Sequence, residues 1–521
     1  MRTDRRIVAF AFTLLCLFLQ ACSTLPPTTD KEETHHLPPA TDTAAAKYTK
    51  AEVDKHQHQS GFRLLTLSTN ALLSRVALAD HARHSIDLQY YIFADDMTGH
   101  LLMQHLLAAA DRGVRVRMLL DDNNFDDKGH LFEALNAHAN IEIRLFNPLQ
   151  TRNPSIVSRA TQFMLEWRRL NRRMHNKSFI VDNTVAIIGG RNIGDPYFDA
   201  GSDTHFRDLD VVAIGPVVPQ ASAAFDTYWN CDASYPLDKL AKTDDSAQRL
   251  AAARQILQRD VRAFAQSDYA QSVLDELPDG PTADRRGTWF WGDAELVADQ
   301  PEKIEASGDV PALRIGPKLK AMLDGAQHEI LASTPYFIPG DQGTRHLTSL
   351  VQKGMSIRIL TNSLASTDET AAHAGYVHYR KDLVEGGVQL YELKPSGGQH
   401  QETTALGKSS GISLHAKTIV VDEREVFIGS LNMDQRSKLL NTEMGVIVDS
   451  PGLAHAISDF FATATLPSNA FRVTVDPDTR HLVWHAEDDG RPVTYRSDPD
   501  ASTKRRTEVS FLRLLPIDGL L

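Results

Sequence analysis

His175-Asn176-Lys177-Ser178-Phe179-Ile180-Val181-Asp182, closed by Gly189-Gly190-Arg191-Asn192, returns 240 residues later as His415-Ala416-Lys417-Thr418-Ile419-Val420-Val421-Asp422 with Gly429-Ser430-Leu431-Asn432. Six positions recur at identical spacing, and each run is apolar and β-branched enough to read as a buried strand. Neighbouring text repeats at about the same offset. Gly113-Val114-Arg115-Val116-Arg117-Met118-Leu119 matches Gly354-Met355-Ser356-Ile357-Arg358-Ile359-Leu360, and the strand from Ile141 matches that from Val388. Strands are predicted over 85–92, 114–120 and 141–146, with a helix over 101–112. Such alternation marks an α/β architecture. Two copies are too few for a solenoid, so the expected fold is two duplicated α-β-α sandwich halves about a pseudo-two-fold axis, with the active site at their interface.

The two motifs have the chemistry of a phosphodiester site. Residues i and i+2 of a strand project to one face, so His175 with Lys177, and His415 with Lys417, would stand together as reacting imidazole and anion-clamping ammonium. Small residues at Gly190 and Ser430 would let a loop pass close to substrate, and the amides of Asn192 and Asn432 could donate to a phosphoryl oxygen. Asp182 and Asp422 belong to the same catalytic motifs, but their odd spacing from the histidines points them at structure, in an orienting role. Asp208 and Glu443 follow their histidines by 33 and 28 residues, so each is a candidate to hold its own motif's imidazole through Nδ1.

Both segments resemble the His-x-Lys-x4-Asp-x6-Gly-(Gly/Ser)-x-Asn signature of the phospholipase D superfamily, over about 400 residues. Within it, Leu88-Gln89-Tyr90-Tyr91-Ile92, Leu120-Asp121-Asp122-Asn123-Asn124 and Leu440-Asn441-Thr442-Glu443-Met444-Gly445 resemble the bacterial cardiolipin synthase C group. The resemblance implies phosphatidyl transfer through a phosphohistidine, with no metal and no cofactor. His175 is then the expected nucleophile, and the substrates would be phosphatidylglycerol and a second phospholipid such as phosphatidylethanolamine. Hydrolysis to phosphatidic acid is the alternative, since only the acceptor differs; an inactive lipoprotein scaffold is a further one, against which the intact motifs stand.

The chain begins with Arg2, Arg5 and Arg6, an apolar run over 7–19, and Leu19-Gln20-Ala21-Cys22. That is an export signal. Its end resembles a lipobox, implying lipidation at Cys22 and a membrane tether in the bacterial cell envelope, facing the periplasm. Ser23, in place of aspartate, leans that expectation towards the outer membrane. Losing residues 1–21 removes three arginines and one aspartate, taking the formal charge from −12 to −14. So acidic a body disfavours nucleic acid as a partner. Cys231 is left without an intramolecular partner, so there is no disulfide framework.

The expected organisation is a signal peptide over 1–21, a flexible tether over 22–60, and a first half over 61–237. A helical connection over 238–305, a second half over 306–470 and a C-terminal hairpin and tail over 471–521 complete it. Trp167 and Leu170 among Arg168, Arg169, Arg172 and Arg173 form a basic amphipathic stretch that reads equally as a solvated helix or a headgroup contact. His373-Ala374-Gly375-Tyr376 reads as a helix start with one buried aromatic or, by resemblance, as part of the acceptor site.

Overall fold

The computed structural model describes Leu25 and residues 31–122, 129–150, 162, 164–201, 204–240, 245–275, 288–306, 308–395 and 411–514. In the first half the strands are β1 (Ser60–Leu65), β2 (Ser85–Tyr90), β3 (Arg115–Asp121), β4 (Ile141–Phe146), β5 (Ser178–Val181), β6 (Val185–Gly189), β7 (Thr204–Arg207), β8 (Asp210–Ile214) and β9 (Ser234–Pro236). The second half supplies β10 (Phe290–Ala298), β11 (Glu329–Ser333), β12 (Ser356–Asn362), β13 (Gln389–Leu393), β14 (Gly411–Leu414), β15 (Thr418–Val421), β16 (Glu425–Gly429), β17 (Met444–Asp449), β18 (Ala470–Val475), β19 (Leu482–Asp488) and β20 (Arg491–Tyr495).

Register pairs give the order 9-4-3-2-5-6-8-1 in the first sheet. The second repeats it as 18-13-12-11-15-16-17-10. The α/β duplication read from the motifs is therefore a duplication of topology: parallel β2-β3-β4 and β11-β12-β13 are each flanked on both sides by antiparallel strands. β1 pairs with β10 through Ser60 to Phe62, joining the sheets. A buried cluster runs between them, with Met174, Ile188 and Leu209 from one half and Leu360, Leu414 and Met444 from the other. Two faces that would each be water-exposed alone are thus closed against each other, which makes the halves one packed body.

Two boundaries differ from expectation. The connection is helical over Ser246–Ala265 and Asp268–Asp275, but β10 inside it is an edge of the second sheet. A 3.6-residue pattern in the preceding helix masks a strand that only cross-chain pairing defines. The tether stops being free at Lys31, whose ammonium donates to the carbonyls of Cys231 and Ser234. From there the chain lies on the first half: buried Arg117 and Arg144 donate to the carbonyls of Thr34 and Glu32, and the Trp229 indole donates to Thr34 Oγ1 at 2.8 Å. A helix over Ala44–Lys55 follows, capped by Thr43. Composition suggested a spacer because this strap is held by backbone groups and a few polar side chains, which leave no apolar periodicity. At the other end, β19 and β20 form the expected hairpin around Asp489-Gly490, both at left-handed φ. The hairpin extends the second sheet through β18, and a helix over Thr503–Leu512 docks by Val509 and Arg505.

Candidate active site

Each motif histidine ends an extended segment that pairs with the opposite half. β14 runs parallel to β7 over Gly411 to Leu414, and the His415 amide donates to Arg207 O at 2.8 Å. In the symmetric place Met174 bridges Thr442, and the His175 amide donates to Thr442 O at 2.9 Å. The residues after Arg207 and Thr442 are Asp208 and Glu443. The same backbone pairing that seats each histidine therefore delivers the carboxylate that orients the other half's imidazole.

That exchange corrects the expectation that each carboxylate serves its own motif. Glu443 Oε2 lies 2.9 Å from His175 Nδ1, and Asp208 Oδ2 lies 2.5 Å from His415 Nδ1. With Nδ1–H donated to a carboxylate, Nε2 keeps the lone pair that can attack phosphorus or carry a proton. Lys177 donates to His175 O at 2.6 Å, and Lys417 likewise to His415 O. Both imidazoles, both lysines and both carboxylates are buried, and the charges reach across the halves: Lys177 and His175 both act on His415, and Lys417 acts on His175.

Burial, aided by Lys177, outweighs Glu443 and holds the His175 imidazole down at about 4. Burial, then Lys417 and Lys177, keeps His415 well below the ordinary imidazole range. Lys177 is lowered to about 7 and Lys417 to about 8, again chiefly by burial and despite Asp208 and Glu443. Burial pushes Asp208 up. It acts the same way on Glu443, where His175 and Lys177 outweigh it and leave the carboxyl below its usual range. A site where burial lowers the proton affinity of two lysines and two imidazoles is suited to an anion, whose charge would restore the protons.

The small residues after each motif do not act as expected. A Cβ on Gly190 would lie 2.3 Å from Asp208 Oδ1, so the glycine makes room for the carboxylate rather than for substrate. Ser430 in the equivalent place donates to Glu443 Oε2 at 2.5 Å and accepts from the Met444 amide. Asn192 accepts from the Ile92 amide and donates to Tyr197 Oη at 2.8 Å, while Asn432 is buried with Oδ1 unpartnered among the described residues. Asp182 and Asp422 are outside the reacting cluster altogether, which removes them from the catalytic set. Asp182 accepts from the amides of Arg83, His84 and Ser85, Asp422 from those of Gln327, His328 and Glu329. Each opens a turn whose two central residues, Asp182-Asn183 and Asp422-Glu423, take left-handed φ.

Aromatic rings complete the pocket. Tyr91 meets His175 edge-on at 5.2 Å, and Tyr197 and Phe206 flank His415 at 5.2 and 5.1 Å. Tyr197 and Phe206 carry no signal in the sequence, since no repeat partner marks them. Tyr90, the neighbour of Tyr91, is the packing residue, taking a bond from buried Arg75. His373 and Tyr376 sit inside a helix over Thr370–Glu385, with Tyr376 donating to Glu392. Cys22 lies outside the described residues.

Comparison with known proteins gives the same picture. A family model described as "Cardiolipin synthase, PLD-like domain" matches residues 76–229 and 319–464. Cardiolipin synthase C of Escherichia coli (strain K12) is 39% identical over 477 residues, covering 90% of this chain and 97% of that protein. An uncharacterized protein of Helicobacter pylori (strain ATCC 700392 / 26695) is 33% identical over 473 residues, covering 89% of this chain and 90% of its own. Among solved structures, the phosphatidylserine synthase of Haemophilus influenzae Rd KW20 superposes with a TM-score of 0.55 at 11% identity, over 91% of this chain and all of that one, which is a likeness of fold.

Proposed function

The chain belongs to the phospholipase D-like family of cardiolipin synthases, and we infer that this phosphatidyltransferase joins a phosphatidyl group to the glycerol hydroxyl of phosphatidylglycerol. The observation that carries the chemistry is the crossed pair His175–Glu443 and His415–Asp208, which ties up both Nδ1 atoms and leaves both Nε2 atoms without a hydrogen-bond partner among the described residues, close enough that His175 and Lys177 act on His415. His175 Nε2 forms the N–P bond as the donor lipid's P–O bond breaks, and His415 delivers its proton to the departing alcohol. The acceptor hydroxyl then gives its proton to His415 and attacks phosphorus, and the N–P bond breaks. Phosphatidylglycerol and phosphatidylethanolamine both fit as donors, since the departing headgroup takes no part beyond accepting that proton.

Lipid mass spectrometry of cells carrying the wild type, His175→Ala or His415→Ala tests this. Cardiolipin rises only with the wild type; equal accumulation in all three would remove the assignment. Supplying a short alcohol separates transfer from hydrolysis, because transfer yields phosphatidylalcohol in excess of phosphatidic acid. The motif at Leu19-Gln20-Ala21-Cys22 supports a lipid tether in the envelope, on the periplasmic side and leaning to the outer membrane. Cys22→Ser is expected to move the protein from the membrane to the soluble fraction and to abolish labelling by radioactive palmitate.

A further inference from the structure

The two halves part company where helices cover the sheet. In the first, helices Ser68–His81 and Met97–Asp111 pack on each other over fully buried Leu72, Leu102 and Leu106. Their counterparts in the second half, Gly316–Gly325 and Gly340–Gln352, make little contact. Between them lies a cavity of about 700 Å³, walled by Ile315, Leu319, Leu323, Phe337, Leu347 and Phe427. Mostly apolar walls with a few placed polar groups are what a site for an apolar ligand requires, and this volume falls in the range such sites occupy.

The polar groups sit where a lipid would need them. Lys417 and Asn432 of the second motif line the cavity, which sets it against the reacting pocket. Ser333, Asn432 and Ser437 are also among the lining residues, each with a buried side-chain oxygen that has no hydrogen-bond partner among the described residues. Unsatisfied buried oxygens are costly unless a ligand or water meets them. An occupant should thus be apolar along most of its length and polar at the end beside Lys417. We propose that this cavity holds one acyl chain of a phospholipid substrate whose phosphate lies at the second motif. The proposal rests on the phosphatidyl-transfer reading. It also breaks the pseudo-symmetry of the site, because in the first half the corresponding helices pack on each other.

Two measurements on the full chain test it. Phosphatidylglycerol with a diazirine at the end of one acyl chain, presented in vesicles, should label peptides within residues 315–347 on illumination. Leu319→Trp and Leu347→Trp, which fill the cavity, should lower the ratio of long-chain to dihexanoyl-lipid turnover by about tenfold or more, since only the long chain loses its buried methylenes. Equal losses on both lipids, or labelling confined to other peptides, would overturn the proposal. So would labelling of the cavity by a diazirine fatty acid but not by the lipid, which would make it a fatty-acid site. Should the variants fail to fold, the labelling of wild type decides. A wild type that transfers no phosphatidyl group at either chain length would sink the enzymatic reading instead, with the labelling pattern still legible.

Discussion

At the scale of single residues, the site is governed by buried like charge. Lys177 and Lys417 face each other's half across a pocket with two imidazoles, and burial lowers their ammonium groups to about 7 and about 8. A lowered lysine is protonated below that value and loses its charge as pH rises through it. Affinity for a phosphodiester of constant charge should therefore fall from pH 6 to pH 9, by about tenfold if one charge-assisted bond is lost. Calorimetric titration of dihexanoylphosphatidylglycerol into His175→Ala measures this without turnover, and a constant affinity across that range would contradict the assigned burial. The lysines were legible in the sequence because i and i+2 share a strand face. Their altered proton affinity was not, since it depends on which charges the other half brings.

At the scale of elements, the turn after each motif strand illustrates how an invariant-looking spacing can have a purely structural cause. Asp182-Asn183 and Asp422-Glu423 hold four non-glycine residues at left-handed φ, an unfavourable conformation for L side chains. Each aspartate offsets that cost by accepting from three consecutive amides that open β2 or β11. Asp182→Ala should destabilise the protein by about 1–3 kcal/mol, the usual result of leaving buried donors unmet. Denaturant melts give that figure, and turnover per folded molecule should stay near the wild-type value. A loss of turnover without a loss of stability would return Asp182 to the chemistry. The odd spacing from His175 pointed away from the substrate; the three amides it caps come from a strand nearly a hundred residues earlier, beyond any local pattern.

At the scale of the whole molecule, the strap from Lys31 to Ala40 fastens the chain's beginning to the first half through bonds to Arg115, Arg117, Arg144 and Asp226. Deleting residues 1–40 strips backbone partners from buried guanidinium groups and should cost about 2–4 kcal/mol, seen as a lower unfolding midpoint with the catalytic residues untouched. An unchanged midpoint would show that water replaces the strap without penalty. Lys31 lies nine positions after Cys22, so a lipid on Cys22 would keep the anchoring point of the strap within about 30 Å of the bilayer. The tether is then a short leash rather than a long spacer.

By itself the sequence determined the duplication, the α/β class, the strands that carry both motifs and the identity of the two histidines, two lysines and two carboxylates. Period, spacing and internal repetition are properties of adjacent residues, so they survive without coordinates. Only the tertiary structure decided that Asp208 serves His415 and Glu443 serves His175, that Gly190 and Ser430 accommodate those carboxylates, that β10 belongs to the second sheet, and that one half keeps a cavity where the other is packed. The crossed carboxylates and the place of β10 arise when segments more than a hundred residues apart are pressed together by burial of apolar surface, and no pattern along the chain records which partner the packing will choose.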